Sequence, residues 1–281
     1  MPVSAVKSEI APCALCKNNE FKTALICEDF YFVRCIKCGL VQRNPQPDKN
    51  EIIARYSTQF GKDYLSYELA NENAFLNLQL LALKDAKFEF DAKQYKKPTV
   101  KNLSVLDIGC ATGALLEYLR TQGWHVTGVE ISPSGEYARN ERGLDVRSSV
   151  LEETGFSDNS FDCVLASHLI EHLNDPRLFL TEVHRILKKD GQFFITTPDI
   201  SGFQARLYGS KWRSAIFDHL YLFSTRTLIK MLKDTGFKVT RRRTWGGLAA
   251  GMAPKWLKKI MDRAVKIFGC GDVMILKAQK I

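Results

Sequence analysis

Beyond Val100 the apolar and polar residues fall into alternating strand-like and helix-like blocks. Ser104 to Ile108 is a short apolar strand, and the helix after it runs from about Ala114 to Gln122 and stops at Gly123. His125 to Glu130 reads as a second strand, Phe161 to Ser167 as a later one, and Gln192 to Thr197 as another. A helix between the last two starts at Asp175-Pro176. The carboxylate there can accept from free backbone N–H groups, and proline suits a first turn. Lys188-Lys189 sits near the negative end of that connection, which Gly191 closes. Ser224 to Asp234 forms a further helix, stopped by Gly236, and Phe237 to Thr240 resumes a strand. Strands alternating with helices in this way predict a mostly parallel sheet covered on both faces.

Upstream the pattern changes. Residues 49–97 read as helical, with Leu69, Leu76, Leu80 and Leu83 recurring at helical spacing until Lys96-Lys97-Pro98 breaks the run. Tyr56, Tyr64 and Tyr67 stand near its start, either as packing or as a lid over a ligand. Residues 1–48 are turn-rich and carry four cysteines, closing at Asn44-Pro45-Gln46-Pro47. The expected organisation is a small module over 1–48, a helical region over 49–97 and an α/β domain over 98–281. Insertions are expected near 199–222 and 245–268.

The 281 residues suffice for a sizeable core, and 45% hydrophobic with 25% charged residues is ordinary for a globular protein. No apolar run approaches the roughly 20 residues needed to span a bilayer, and no secretory signal pattern opens the chain. A cytoplasmic location is the resulting expectation. The net charge of +9 is unevenly placed: Lys238 to Lys266 holds nine Lys or Arg against the single acid Asp262. Such a strip is either a solvated face or a surface that meets phosphates.

Cys13 and Cys16 form one CxxC pair, Cys35 and Cys38 a second, with eighteen residues between the pairs. Two such knuckles at this separation are a zinc signature. Four thiolates converging tetrahedrally leave no open position for water, so the Zn2+ is expected to be structural. Cys27, Cys110, Cys163 and Cys270 are expected to be small buried hydrophobes.

The segment Val105-Leu106-Asp107-Ile108-Gly109-Cys110-Ala111-Thr112-Gly113 runs from an apolar strand into a glycine-bearing loop and then a helix. That is nucleotide-site geometry at the carboxyl end of a sheet. A dinucleotide loop would read G-x-G-x-x-G, but Ala111 and Ala114 hold its second and third glycine positions. Asp107 would repel a pyrophosphate, whereas S-adenosylmethionine has no phosphate and brings an ammonium and a sulfonium. Twenty-one residues past Gly109, Glu130 ends the second strand, where an acid can accept both ribose hydroxyls.

On these residues the chain resembles the class I S-adenosylmethionine-dependent methyltransferases. The D-x-G-x-x-x-G loop at Asp107 to Gly113, Glu130, Ser160-Phe161-Asp162 and the stretch His168 to Pro176 carry the resemblance. With the cysteine knuckles added, it is similar to bacterial members with an N-terminal zinc module, some of which methylate nucleotide-linked sugars. The resemblance implies a Rossmann-like seven-stranded sheet whose last strand, Gly271 to Ala278, is antiparallel. It also implies that Asp107, Gly109, Cys110, Ala111 and Gly113 hold the methionine end, Glu130 the ribose, and Ile131 the adenine flank. The acid often found before the fourth strand is replaced by Ser149, which leaves Val150 and Leu151 to supply backbone and packing contacts to the adenine.

His168-x-x-Glu171-His172 also matches a zinc-peptidase pattern, but it follows a strand of the sheet and shows no third ligand. His168 is expected at a strand end within reach of an acceptor. His219, in the first insertion, is the first candidate for a general base and His168 the second. The expected acceptor is a small phosphate-bearing molecule, a nucleotide-linked sugar or glycan precursor. Alternatives are a lipid-linked or quinone-type phenol and RNA; only Trp245 and Trp256 stand in the basic strip as stacking partners for a nucleic acid. Residues 253–268 form a basic amphipathic helix that either packs on the sheet or lies on an anionic membrane.

Overall fold

The computed structural model describes residues 11–57, 59–93, 103–247 and 254–281. The expected break at Lys96-Lys97-Pro98 lies outside the described residues.

The main sheet has seven strands: β4 (Ser104–Ile108), β5 (His125–Val129), β6 (Val146–Arg147), β7 (Phe161–Ser167), β8 (Leu187–Pro198), β10 (Phe237–Trp245) and β11 (Val273–Lys280). Their order is β10-β11-β8-β7-β4-β5-β6. β4, β5, β6, β7 and β8 pair in parallel, and β11 runs antiparallel to both β8 and β10. This is the expected Rossmann-like sheet with one reversed strand. β7 is buried along nearly its whole length, as a central strand covered on both faces must be. From β4 the chain winds outward to β5 and β6, then returns to lay β7 on the other side of β4. The strand order therefore reverses between β4 and β7, and a crevice opens there above their carboxyl ends.

Local chemistry fixes the helices around it. α3 (Ala114–Thr121) buries Leu115, Leu116 and Leu119, one face at helical spacing. Asp175 caps α5 (Pro176–Ile186) by accepting from the N–H groups of Arg177 and Leu178. Ser224 and Thr227 form a reciprocal capping box at the start of α7 (Thr225–Asp234). α4 (Pro133–Arg142) starts at Ser132, whose side chain accepts from Ser134 N–H.

The helical region differs from the expected single run to Lys96. It is split into α1 (Lys49–Ser57) and α2 (Gln59–Asp85), and α2 stops well before the proline. Lys87 adopts a left-handed conformation, φ 61°, while the N–H of Lys87 bonds Lys84 O and that of Phe88 bonds Leu83 O. This double bond pattern ends a helix, and the contact between Leu83 and Phe88 in the core fixes it. Sequence periodicity could not show it, because the terminator is a lysine rather than a glycine.

The N-terminal residues form a second, four-stranded sheet in the order β1 (Phe21–Ile26), β2 (Tyr31–Cys35), β3 (Val41–Arg43) and β9 (Tyr221–Leu222). The insertion after β8 carries α6 (Phe203–Tyr208) and supplies β9, so the cysteine-bearing sheet is completed by the larger domain. Cys13, Leu15, Cys35 and Leu40 share one core with Leu220, Tyr221, Phe223 and Leu228.

α8 (Lys255–Phe268) turns Val265 inward and leaves Trp256, Ile260, Ile267 and Phe268 exposed. The other half of the basic strip, Lys238 to Arg243, lies on β10 at the edge of the sheet. Cations there discourage pairing with another chain's strand. Among the described residues, no helix is long and apolar enough to cross a membrane.

Candidate active site and metal centre

The loop after β4 leaves the sheet with Gly109 at φ 74°, a left-handed turn costly for any residue with a Cβ. Gly109 N–H bonds Val129 O at 2.8 Å, which clamps the loop to the end of β5. That close approach needs Gly128: a Cβ there would meet Cys110 Sγ at 2.7 Å and Leu116 at 2.9 Å. Glu130 follows β5, and its carboxylate accepts from Ala111 N–H at 3.1 Å and Ser132 N–H at 2.9 Å. Ionised carboxylates have about four acceptor sites, so two remain for a diol. Ile131 is half-buried beside Glu130, while Val150 and buried Leu151 follow β6 on the same edge of the sheet. The loop Gly109 to Ala111 and the end of β5 at Val129 and Glu130 are thus held together at one edge of the crevice.

The electrostatics of this crevice are unusual. Asp107 is buried, and burial first, then the charge of Glu130, pushes its carboxyl up to about 8. Glu68 of α2, also buried, is pushed up to about 7 by burial and by the nearby Glu130 and Glu72, although Ser134 Oγ donates to it. Glu72 accepts from Thr112 Oγ1 at 2.7 Å and from Arg142 at 2.5 Å. α2 is therefore tied to the loop and to both ends of α4. Arg142 is occupied by Glu72 and Glu117, which leaves Asp107, Glu130 and Glu68 without a cationic partner among the described residues. A site short of positive charge fits a cationic cofactor and repels a pyrophosphate. Glu68 and Glu72 were not singled out in the sequence. The available signal was two acids four apart on one helix face, an unfavourable pairing unless each finds a partner.

Across the crevice, Leu169 lies against Gly109, since a Cβ on that glycine would sit 3.5 Å from Leu169 Cδ1. His168 ends β7 with φ 52° and an exposed imidazole, its Nδ1 3.3 Å from Glu171 Oε1. Glu171 is 1% exposed, and its other oxygen accepts from Thr197 Oγ1 at 2.9 Å. Burial would raise this carboxyl, but His168, His172 and His219 outweigh it and bring it to about 2. His172 Nδ1 lies 3.0 Å from Asp218 O and 3.3 Å from the Tyr56 hydroxyl. His219 is buried, with Nδ1 2.8 Å from Ser214 O, and its ring packs edge-on to that of His172 at 4.7 Å. Burial and the nearby His172 lower the His219 imidazole to about 4.

Two expectations change here. Ile170–His172 is a 3-10 turn after a left-handed residue, so His168 and His172 do not share a helix face as the peptidase pattern requires. And a third polar partner for Glu171 and His172 does exist: His219, brought in by the insertion. Tyr56 reaches this cluster, whereas Tyr64 and Tyr67 are 41% and 55% exposed.

The four N-terminal cysteines also converge. Cys13 Sγ is 3.4 Å from Cys38 Sγ, and Cys16 Sγ 3.5 Å from Cys35 Sγ. All four lie within 4.8 Å of one another. Bonded sulfurs would be about 2.05 Å apart, so these are free thiols gathered in a four-cysteine cluster compatible with zinc. Burial pushes Cys13 up to about 11; it would raise Cys35 too, but the N–H groups of Cys38 and Lys37 and the Cys16 thiol bring that one to about 7.

Residues 59–242 match the family described as methyltransferase domain. An uncharacterized protein of Methanocaldococcus jannaschii is 26% identical over 182 residues, covering 63% of this chain and 82% of its own length. The ubiquinone biosynthesis O-methyltransferase of Bartonella tribocorum is 30% identical over 115 residues, 39% of this chain and 47% of its own. The chain thus spans about half the length of that relative. Among solved structures, an S-adenosylmethionine-dependent methyltransferase of Thermotoga maritima superposes with TM-score 0.57 at 24% identity, over 82% of this chain and 99% of its own. At that identity the likeness speaks for the fold alone. Fold, loop and family agree: the chain belongs to the methyltransferase domain family and is an S-adenosylmethionine-dependent methyltransferase.

Proposed function

We propose that the enzyme methylates a hydroxyl of a lipophilic, phenol-type acceptor, with His168 as the base. When bound, S-adenosylmethionine supplies a sulfonium methyl group that the acceptor oxygen displaces in line, and the leaving sulfur is neutral and needs no acid. Asp107 and Glu130 hold the cationic and ribose portions, Ile131 flanks the adenine, and Val150 and Leu151 line its far side. His168 is favoured over His219 as base because its ring is exposed at the crevice, whereas His219 is 6% exposed with one nitrogen tied to a carbonyl. A proton taken at His168 Nε2 leaves Nδ1 toward Glu171, which orients the ring. Alignment of the reactants is the larger contribution, about 7–11 kcal/mol.

The observation that carries the acceptor class is the outer face of α8. Trp256 is 65% exposed, Ile267 71% and Phe268 77%, beside the exposed cations Lys259 and Arg263. An apolar stripe flanked by cations suits an anionic membrane, where a lipophilic acceptor would be met. The partial likeness to ubiquinone biosynthesis O-methyltransferases agrees with this reading. No relative reported above carries a sugar in its name, so the nucleotide-sugar acceptor expected from the sequence gains no support. The Cys13, Cys16, Cys35 and Cys38 module over residues 1–48 is assigned a structural zinc and a bracing role, holding the insertion through β9.

The reading is tested by supplying methyl-labelled S-adenosylmethionine with three pools: membrane-lipid extract, nucleotide sugars and total RNA. Label in a phenolic lipid supports it. Label confined to the sugar or RNA pool overturns it.

A further inference from the structure

We propose that Glu171, His172 and His219 form a second metal site, distinct from the cysteine cluster, that binds a divalent first-row transition ion beside His168. One ligand atom from each of these residues lies within 4.8 Å of the others. Both histidines present Nδ1 to a backbone carbonyl, His172 to Asp218 O and His219 to Ser214 O. A carbonyl only accepts, so each Nδ1 carries the hydrogen and each Nε2 keeps its lone pair. This is the outer-shell arrangement that orients metal-binding imidazoles. The third member is the buried Glu171, whose Oε2 is held by Thr197 and whose Oε1 meets His168 Nδ1 at 3.3 Å without the geometry of a hydrogen bond. A carboxylate oxygen has two acceptor sites, so Oε1 keeps capacity for an ion placed between it and the two imidazoles. Two neutral imidazoles and one carboxylate carry a net charge of −1 and leave an ion with open positions.

The placement is what makes the site useful. Glu171 and His172 sit on the turn after β7, and His219 comes from the insertion. An ion here would pin the insertion onto the carboxyl end of the sheet, next to the exposed ring of His168. With an open position such an ion would hold the acceptor oxygen and lower the pKa of its hydroxyl, and His168 would receive the proton. Binding of the ion does not depend on the function proposed above; only its role in the reaction rests on that reading.

The test uses the purified full chain titrated with cobalt(II) after metal removal. Two equivalents are expected. The first shows intense thiolate charge-transfer absorption, and the second shows only the weak visible bands of nitrogen and oxygen ligation. Glu171→Gln, isosteric and still able to accept from Thr197, and His219→Ala should each weaken the second equivalent by roughly a hundredfold or more, with the first unchanged. Cofactor affinity, measured on the same samples, separates the two readings: loss of the second ion with cofactor still bound sinks neither the family nor the fold. A single equivalent in the wild type, or a second one that persists in both variants, overturns the proposal.

Discussion

Asp107 and Glu130 set the character of the cofactor crevice through what they lack. Among the described residues neither has a cationic partner, and burial together with Glu130 raises Asp107 to about 8. A cation arriving next to Asp107 stabilises its ionised form, so cofactor uptake should release a proton at pH 7. Affinity should therefore rise between pH 6 and 8 and level off above, as calorimetry in buffers of different ionisation enthalpy would show. The sign for folding is opposite. An acid whose folded pKa lies above its unfolded value of 3.8 loses stability as pH rises between the two, so Asp107→Asn should raise the melting temperature of the cofactor-free protein at pH 8. His168→Ala should lower turnover by about 10²–10⁴-fold and leave cofactor affinity within about twofold. Equal turnover in variant and wild type would remove the base assignment. The placement of Asp107, Gly109 and Glu130 at the ends of β4 and β5 was legible because strand, loop and following strand are close together in sequence. The burial of His219, the first candidate base in the sequence, was not legible there, because it depends on Ser214 and His172, contacts no spacing rule reveals.

The elements that shape the site come from three parts of the chain. α2 straps the cofactor loop through Glu72 to Thr112 and α4 through Glu68 to Ser134. The cysteine-bearing sheet holds the insertion through the pairing of Val41 with Leu222 and Gln42 with Tyr221. Structural zinc in small modules is worth about 10–16 kcal/mol, comparable with the whole stability of a typical domain. Zinc removal should thus unfold the β1–β3 sheet rather than soften it, and free β9 with it. Hydrogen exchange after chelation should rise in residues 21–43 and 217–222 while β4 and β5 stay protected. Unchanged exchange in those segments would show that the thiols need no metal. For α8, Trp256→Glu should abolish sedimentation with anionic vesicles without altering cofactor affinity; equal sedimentation would return the helix to a packing role. β4, β5, β7, β8 and β10 of the main sheet were readable from apolar blocks and β11 from the family resemblance, but the two-residue β6 and the N-terminal β1, β2 and β3 were not. They are short and are framed by the four-cysteine cluster rather than by alternating apolar faces.

Over the whole molecule, the sequence and the structure agree on the α/β sheet, its reversed strand and the crevice above β4 and β7. What the sequence could not convey is that the cysteine module and the insertion form one body, because their link is a two-residue strand pairing over nearly 180 positions. The same long-range fold gathers Glu171, His172 and His219 from two distant segments. The acids from Asp107 to Glu130 are expected to select a cationic, phosphate-free cofactor. Calorimetric titration of the purified chain with S-adenosylmethionine and, separately, with NAD tests it most directly. The expected result is one S-adenosylmethionine per chain, no measurable NAD binding, and at least about tenfold weaker uptake in Glu130→Ala, from the loss of charge-assisted hydrogen bonds of about 1.5–3 kcal/mol each. NAD bound with comparable affinity, or a Glu130→Ala variant that binds S-adenosylmethionine as the wild type does, would contradict it.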